Sequence, residues 1–342
     1  MEKINIAVVG ATGAVGEMML KVLEQRSFPV NCLYPLASKR SAGSIVQFKG
    51  QSYEVGLLDD FDFTHTTLAL FSAGASVSDI YAPHAAKAGN IVIDNTSRFR
   101  NEVDIPLVVP EVNPHAAAHY KKHRIIANPN CSTIQMVVVL KPLHDLFQIS
   151  RVNVATYQAV SGAGRRAVEE MLSQTRLELN NETVQPEIYP KQIAFNALPQ
   201  IDCFMENGYT REEMKMVWET QKILEDESIK INPTAVRIPV VNGHSEAIHI
   251  EFEQEIDEIA AREVLEKAPG VSVLDERVEG AYPTAVTEAD DQDAVWVGRI
   301  RKDISHPCGL NVWVVADNLR KGAATNSVQI AELMIREYLN HV

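Results

Sequence analysis

The apolar positions of the chain come in two textures. In the first third they form short continuous runs, at Ile4–Val9, Cys32–Ala37, Leu68–Ser72, Ile91–Asp94 and Leu107–Val109, set apart by helical or loop sequence. Continuous apolar runs of about four to eight residues suit strands covered on both faces, so the spacing predicts a mostly parallel, doubly wound sheet. Gly10 to Gly16 follows the first run as a glycine-rich turn, and Glu17–Gln25 has helical periodicity. From Arg151 the texture changes. Arg151–Val160 reads as a strand, Gly162-Ala-Gly164 as a turn, Arg165–Asn180 as a helix and Asn181–Pro199 as irregular chain. Thr210–Glu227 reads as a helix with Thr210 as N-cap and Glu213 closing a capping box. Strands at 234–241, 245–253, 294–301 and 310–316 alternate more clearly, which predicts a mixed or antiparallel sheet. A last helix, Ala324–Asn340, gathers Val328, Ile330, Ala331, Met334, Ile335 and Tyr338 on one side and is expected to return to the first domain.

These textures imply an α/β chain of two domains. Residues 1–128, completed by the C-terminal helix 324–342, form the first, and 129–323 the second. A length of 342 residues supports two cores. Lys plus Arg total 32 against 45 Asp plus Glu, a formal charge of −13, which argues against a nucleic-acid or anionic-membrane binder. A small anionic substrate held by a few placed cations remains compatible. No apolar run approaches the roughly 18 residues of a membrane span, and no signal-peptide pattern opens the chain. Four cysteines, at 32, 131, 203 and 308, are too few for a disulfide scaffold and lack zinc-ligand spacing, so a reducing, cytoplasmic setting and no metal are expected.

Gly10-Ala-Thr-Gly13-Ala-Val-Gly16 lies between a strand and a helix. Glycines there let the backbone approach a pyrophosphate, with the helix N-terminus facing the anion. Gly10, Thr12, Gly13, Ala14 and Val15 are the candidate contacts. The second strand ends Ala37-Ser38-Lys39-Arg40-Ser41, with no acid for a ribose 2′-hydroxyl. Cations and hydroxyls at Ser38, Arg40 and Ser41 suit a 2′-phosphate, so NADP is favoured over NAD; an ordinary solvated basic turn is the alternative.

Asn128-Pro-Asn-Cys131-Ser-Thr133 precedes the apolar run Ile134–Leu140, and a helix is expected to begin at or beside Cys131. A thiol at that point feels the positive end of the helix dipole, which favours thiolate. Lowering a thiol pKa from about 8.5 to about 6 would take it from roughly 3% to roughly 90% ionised at neutral pH. Cys32, Cys203 and Cys308 read as buried structural cysteines.

Together, the glycine loop, Asp94-Asn-Thr-Ser97-Arg98, Asn128-Pro-Asn-Cys131-Ser-Thr133, Gln158-Ala-Val-Ser-Gly162-Ala-Gly164, Arg237-Ile-Pro-Val-Val-Asn-Gly-His244-Ser245 and Asn318-Leu-Arg-Lys-Gly-Ala resemble the aspartate-semialdehyde dehydrogenase family, in its order and over nearly the whole chain. The resemblance implies a Rossmann-type NADP-binding domain followed by an α+β catalytic and dimerisation domain with a mixed sheet. It implies reversible, phosphorylating oxidation of L-aspartate 4-semialdehyde to 4-phospho-L-aspartate through a cysteine thioester, in lysine, threonine and methionine biosynthesis. It further implies a homo-oligomer, a dimer or a dimer of dimers. Related N-acetyl-glutamyl-phosphate reductases typically read Pro-Gly-Cys-Tyr-Pro-Thr around the cysteine, which this chain does not. A non-catalytic Rossmann binding protein should lack the cysteine or the histidine, and both are present.

By that resemblance Cys131 is the nucleophile and His244 the acid/base. His244 follows Gly243 at a turn between strands, which reads as an exposed setting with an imidazole pKa near neutrality. Arg237 would fork onto the substrate carboxylate. Glu212 would meet the substrate amine and Lys215 the phosphate, both on one helix face, although a solvated ion pair explains the same spacing. Arg98 would be a second phosphate cation, with Arg100 as competitor. Gln158 would hold the acyl group, and Asn130 would orient substrate or cap the helix. Ser161 and Gly162 would approach the nicotinamide, and Asn318 its carboxamide.

Overall fold

A computed structural model describes residues 3–339. Met1, Glu2 and Asn340–Val342 lie outside the described residues, and with them the far end of the expected terminal helix. The chain divides into two compact units, one running to Asn130 and resuming at Ala323, the other Cys131–Gly322.

The first unit is built on six parallel strands: β1 (Ile4–Val9), β2 (Val30–Ala37), β5 (Gly56–Leu57), β6 (Leu68–Phe71), β7 (Ile91–Asp94) and β8 (Ile125–Ala127), in the order β5-β2-β1-β6-β7-β8. A separate hairpin, β3 (Ile45–Phe48) and β4 (Gln51–Glu54), was not anticipated. Helices α1 (Ala14–Gln25) and α2 (Ala75–Lys87) make crossovers. Both faces are covered, and Ile6–Val9, Leu68–Phe71 and Ile91–Ile93 are all fully buried, as continuous apolar runs require. β2 lies on one side of β1 and β6 on the other, so the turn after β1 sits at the topological switch point.

Three expectations need correction here. Leu107–Val109 is not a strand: Leu107 makes only an isolated bridge to Ala127, and the edge strand is β8, too short to stand out as a pattern. Helix α1 begins three residues earlier than its periodicity suggested, at Ala14, so Gly16 lies inside it. A Cβ on Gly16 would stand 2.1 Å from the Gly10 carbonyl oxygen, so the first turn of α1 can fold onto its own loop only with glycine there. Cys32 and Cys203 are exposed and Cys308 partly so, not buried, and all four cysteines are thiols rather than disulfides.

The second unit runs α3 (Cys131–Phe147), β9 (Ile149–Gln158), α4 (Arg165–Leu179), α5 (Arg211–Leu224), β10 (Lys230–Arg237), β11 (His244–Phe252), α6 (Glu258–Lys267), β12 (Val271–Val273), β13 (Val295–Lys302) and β14 (Gly309–Ala316). Its sheet, β10-β9-β11-β14-β13-β12, mixes parallel pairs (β9 with β10, β12 with β13) and antiparallel ones (β11 with β9 and β14, β13 with β14). Alternate residues of β9 (Val152, Val154, Thr156, Gln158) are buried on the face where α3, α5 and α6 pack. The expected capping box is present: Thr210 Oγ1 accepts from the Glu213 N–H at 3.3 Å and Glu213 Oε2 accepts from the Thr210 N–H at 2.7 Å.

The chain returns to the first unit through α7 (Thr325–Met334), continued to Leu339 by a π-helical turn. Val328, Ile330, Ala331, Leu333 and Met334 join Leu20, Val22 and Leu23 in one apolar core. Arg26 forks onto Glu332 at 2.8 and 2.7 Å, and Asn326 Nδ2 donates to Asn128 Oδ1 at 2.7 Å.

Candidate active site

Strand direction gathers the polar side chains of the second unit. β9 and β10 are parallel, with Gln158 opposite Arg237 at their ends. β11 is antiparallel to β9 and begins where β9 finishes, placing His244 beside them; β14 ends opposite it, with Ala316 paired to His244. The first residue of α3, Cys131, completes the group: its Sγ is 3.2 Å from His244 Nε2. The thiol thus opens a helix of 17 residues, as anticipated, at its positive end.

His244 departs from its sequence reading. It is 0% exposed, the opening residue of β11 rather than a loop residue, and burial together with the neighbouring Arg237 cation pushes its pKa down to about 3. The Ala159 backbone N–H donates to Nδ1 at 3.0 Å, so the single proton of the neutral ring belongs on Nε2, aimed at sulfur. Gly162 explains how a cation and an imidazole fit beside that turn. A Cβ there would lie 3.0 Å from Arg237 Nη1 and 3.4 Å from His244 Cε1.

Arg237 is 5% exposed, with Nη1 donating to the Ala159 carbonyl at 2.6 Å and its backbone paired with Leu198. Gln158 Nε2 donates to Glu212 Oε1 and to Thr156 Oγ1, both at 3.3 Å. Lys215 Nζ is 3.0 Å from Glu212 Oε2 and 3.0 Å from Asp202 Oδ2. This is not the solvated helical pair that the spacing alone allows, because Glu212 is buried and Lys215 nearly so. The two carboxylates outweigh burial and raise the Lys215 pKa, keeping it charged. Asn318 accepts from the Gly243 N–H at 2.8 Å and donates to Ser161 Oγ at 3.0 Å, tying the turn before His244 to the turn after β9.

In the first unit, Gly10 has φ +86° and Gly13 is the N-cap of α1 with no side-chain cap, so first-turn N–H groups of α1 face the loop containing Thr12. Ala14 and Val15 open that helix. Ser38 and Arg40 are exposed and Ser41 half-buried, following β2. Arg98 sits 2.5 Å from Asp79 and 2.7 Å from Glu102, so its charge is matched within its own unit. Arg100 is buried, with Nη2 donating to the Asn95 carbonyl at 2.8 Å. Asn130 is buried at the residue before α3.

Four contributors escaped the sequence reading. Ala159 acts through its backbone, which carries no side-chain signal. Asp202, at φ +68°, reaches Lys215 from a distant loop. Gln135 donates to the His244 carbonyl at 3.3 Å, and its place four residues after Cys131 on one helix was a usable signal. Glu246, two residues after His244 on a strand, shares its face by alternation.

The parallel-sheet unit and the mixed-sheet unit correspond to the two domains of a semialdehyde dehydrogenase. The chain matches the semialdehyde dehydrogenase NAD binding domain over residues 5–120 and the semialdehyde dehydrogenase dimerisation domain over residues 140–321. The aspartate-semialdehyde dehydrogenase of Legionella pneumophila is 60% identical over 336 residues, covering 98% of this chain and 97% of that one. Aspartate semialdehyde dehydrogenase II of Vibrio cholerae, complexed with ASA, superposes with a TM-score of 0.97 at 54% identity, covering 99% of this chain and all of the other. The enzyme with NADP from Candida albicans gives 0.76 at 25% identity, covering 98% of this chain and 99% of the other. The chain belongs to the aspartate-semialdehyde dehydrogenase family.

Proposed function

We propose that the protein catalyses the reversible, NADP-dependent, phosphorylating oxidation of L-aspartate 4-semialdehyde to 4-phospho-L-aspartate, through a thioester on Cys131. The observation that carries this reading is the 3.2 Å contact between Cys131 Sγ and His244 Nε2 at the start of α3. The thiolate adds to the aldehyde carbon, and the carbonyl π pair moves to oxygen as an alkoxide. His244, its Nδ1 occupied by the Ala159 N–H, keeps its proton on Nε2 and donates a hydrogen bond first to sulfur and then to the alkoxide. Collapse of the alkoxide to the thioester is the oxidation, and NADP⁺, when bound, would accept the hydride. A phosphate oxygen then adds to the thioester carbonyl, and the Cys131 thiolate leaves, again accepting from Nε2–H.

Arg237 offers a fork for the substrate α-carboxylate, and Glu212 an anion for its ammonium group. Gln158, hydrogen-bonded to Glu212, would hold the acyl oxygen, and Lys215 would meet phosphate, with Arg98 and Asn130 as further substrate contacts. Gly10, Thr12, Gly13, Ala14 and Val15 fit a pyrophosphate, since the loop leaves no room for Cβ atoms at Gly10 and Gly16. Ser38, Arg40 and Ser41 would hold the 2′-phosphate, and Ser161, Gly162 and Asn318 the nicotinamide end. Helices α3, α5 and α6 cover one face of the second unit's sheet, and the other carries Ala155, Ala247 and the Tyr157–Trp313 ring pair. That face suits a homodimer contact. Four cysteines without disulfides suit a reducing cytoplasm, and the pathway role is lysine, threonine and methionine biosynthesis.

The test is NADPH absorbance with aspartate semialdehyde and phosphate, run beside N-acetylglutamate semialdehyde, with rapid-quench mass spectrometry of Cys131. Turnover of the first substrate alone, with an acyl adduct on Cys131, is expected. Preference for the acetylated substrate, or turnover without an adduct, overturns the reading.

A further inference from the structure

Beneath α3, at the centre of the second unit's sheet, lies a carboxyl group that the mechanism above does not use. Glu246 is 0% exposed, on β11 between Thr156 of β9 and Val314 of β14. Neither of its oxygens finds a hydrogen-bond partner within normal distance. The polar group beside it is the Gln135 amide, itself 1% exposed. Gln135 Nε2 donates to the His244 carbonyl at 3.3 Å, while its Oε1 is left with no donor. Three buried acceptor oxygens are thus left without a donor, and an ionised carboxylate has no proton to offer the Gln135 oxygen.

A single proton resolves this. A neutral carboxylic acid and a primary amide pair at two points: the acid O–H donates to the amide oxygen, and one amide N–H donates to the acid carbonyl. The second amide N–H stays on the His244 carbonyl. Burying an unpaired carboxylate would cost several kcal/mol, more than holding a proton. We propose that Glu246 is a neutral acid that locks the Gln135 amide by this two-point pairing, and that the locked amide fixes the His244 backbone against Cys131, making Glu246 a positioning residue for the thiol–imidazole pair. Burial accordingly raises the Glu246 pKa well above the usual carboxyl value. Gln135 stands one helical turn after Cys131 and bonds to the residue that carries the imidazole, so one helix holds both the thiol and the amide that ties down the His244 backbone. The inference rests on the thioester reading for its effect on rate, but not for the protonation state of Glu246.

Two substitutions separate this from a merely structural role. Glu246→Gln preserves the shape and offers an amide that pairs with Gln135 in the same way. Glu246→Leu fills the space but supplies no donor. We expect E246Q to keep kcat within about threefold of wild type and E246L to lose about tenfold or more, with KM for semialdehyde and Kd for NADPH little changed. Alkylation of Cys131 by iodoacetamide in the resting protein should slow in E246L and not in E246Q. An E246Q variant as slow as E246L would show that charge is what matters, and an E246L variant with wild-type kcat would show that Gln135 needs no lock; either result overturns the proposal. Should E246L fail to fold, the infrared difference between wild type and E246Q still decides. A neutral-acid carbonyl band present in wild type at about pH 8 and absent in E246Q is expected, and its absence from wild type overturns the proposal. Loss of the acyl adduct in wild type would instead sink the thioester reading and leave the infrared result standing.

Discussion

Gly10, Gly13 and Gly16 bring no side chains to the first unit's loop, whereas Gln158, Glu212, Arg237, His244 and Glu246 crowd polar and charged side chains under the second unit's sheet. The loop makes its ligand surface from backbone N–H groups and a helix end, and its chemistry is shape. Around Cys131 each polar group is set by another: Ala159 fixes the His244 tautomer, Gln158 reaches Glu212, and Glu212 shares Lys215 with Asp202. Changes in the loop region should therefore act on affinity. Changes in the buried cluster should leave cofactor affinity alone and act on substrate KM, on rate and on pH dependence.

The largest effect separates these at once. Cys131→Ser should lower phosphorylating aldehyde oxidation by at least about a thousandfold, because a hydroxyl at this site is a far weaker nucleophile than a thiolate. NADPH affinity should stay within about threefold, since one atom has changed. Stopped-flow turnover and cofactor titration check both halves, and a serine variant with near-wild-type turnover breaks the assignment. Next in size, Arg237→Lys keeps the charge beside His244 but loses the fork and the contact with the Ala159 carbonyl. It should raise KM for semialdehyde about thirtyfold with a smaller change in kcat. An unchanged KM removes Arg237 from the carboxylate. For the other region, Arg40→Ala should weaken NADPH about tenfold and leave NADH unaffected. Equal losses for both cofactors would place Arg40 outside a 2′-phosphate site.

These contrasts track what the chain discloses on inspection. Buried parallel strands such as Ile4–Val9 and Ile91–Asp94 announce themselves because both faces are apolar. The Thr210–Glu213 capping box is a local device, legible at four-residue range. The glycine loop is legible for the same reason, since Gly16 answers a clash with a residue only six positions earlier. Residue types at the catalytic cluster were legible through motif resemblance, but their settings were not. His244 looked exposed because Gly243 precedes it, yet the turn delivers it straight into the middle of a six-stranded sheet. Asp202 lies 13 positions from Lys215, in a loop without periodicity. The short strand β8 and the bridge at Leu107 depend on neighbours far along the chain. Local backbone demands are written in the sequence, whereas desolvation is a property of the assembled core.

Desolvation also supplies the smallest and most diagnostic effect. His244 has a folded pKa of about 3 against about 6.5 when unfolded, so below pH 6.5 the unfolded chain takes up a proton that the native protein refuses. That group makes stability fall as pH drops from about 6.5 toward 3. Glu246 acts in the opposite sense: its folded pKa is raised, so the native protein retains a proton that the unfolded chain releases above about 4.5, and stability falls as pH rises through that range. Thermal unfolding of wild type, His244→Gln and Glu246→Gln across pH should separate the two slopes. H244Q should flatten the acidic limb and E246Q the alkaline one, each by a few °C in Tm. Arg40→Ala, a change at an exposed position, should leave the shape of the curve intact. Parallel curves for all four proteins would mean that neither buried group changes its proton on unfolding, and the distinction between a loop that works by shape and a core that works by desolvated charge would lose its physical basis.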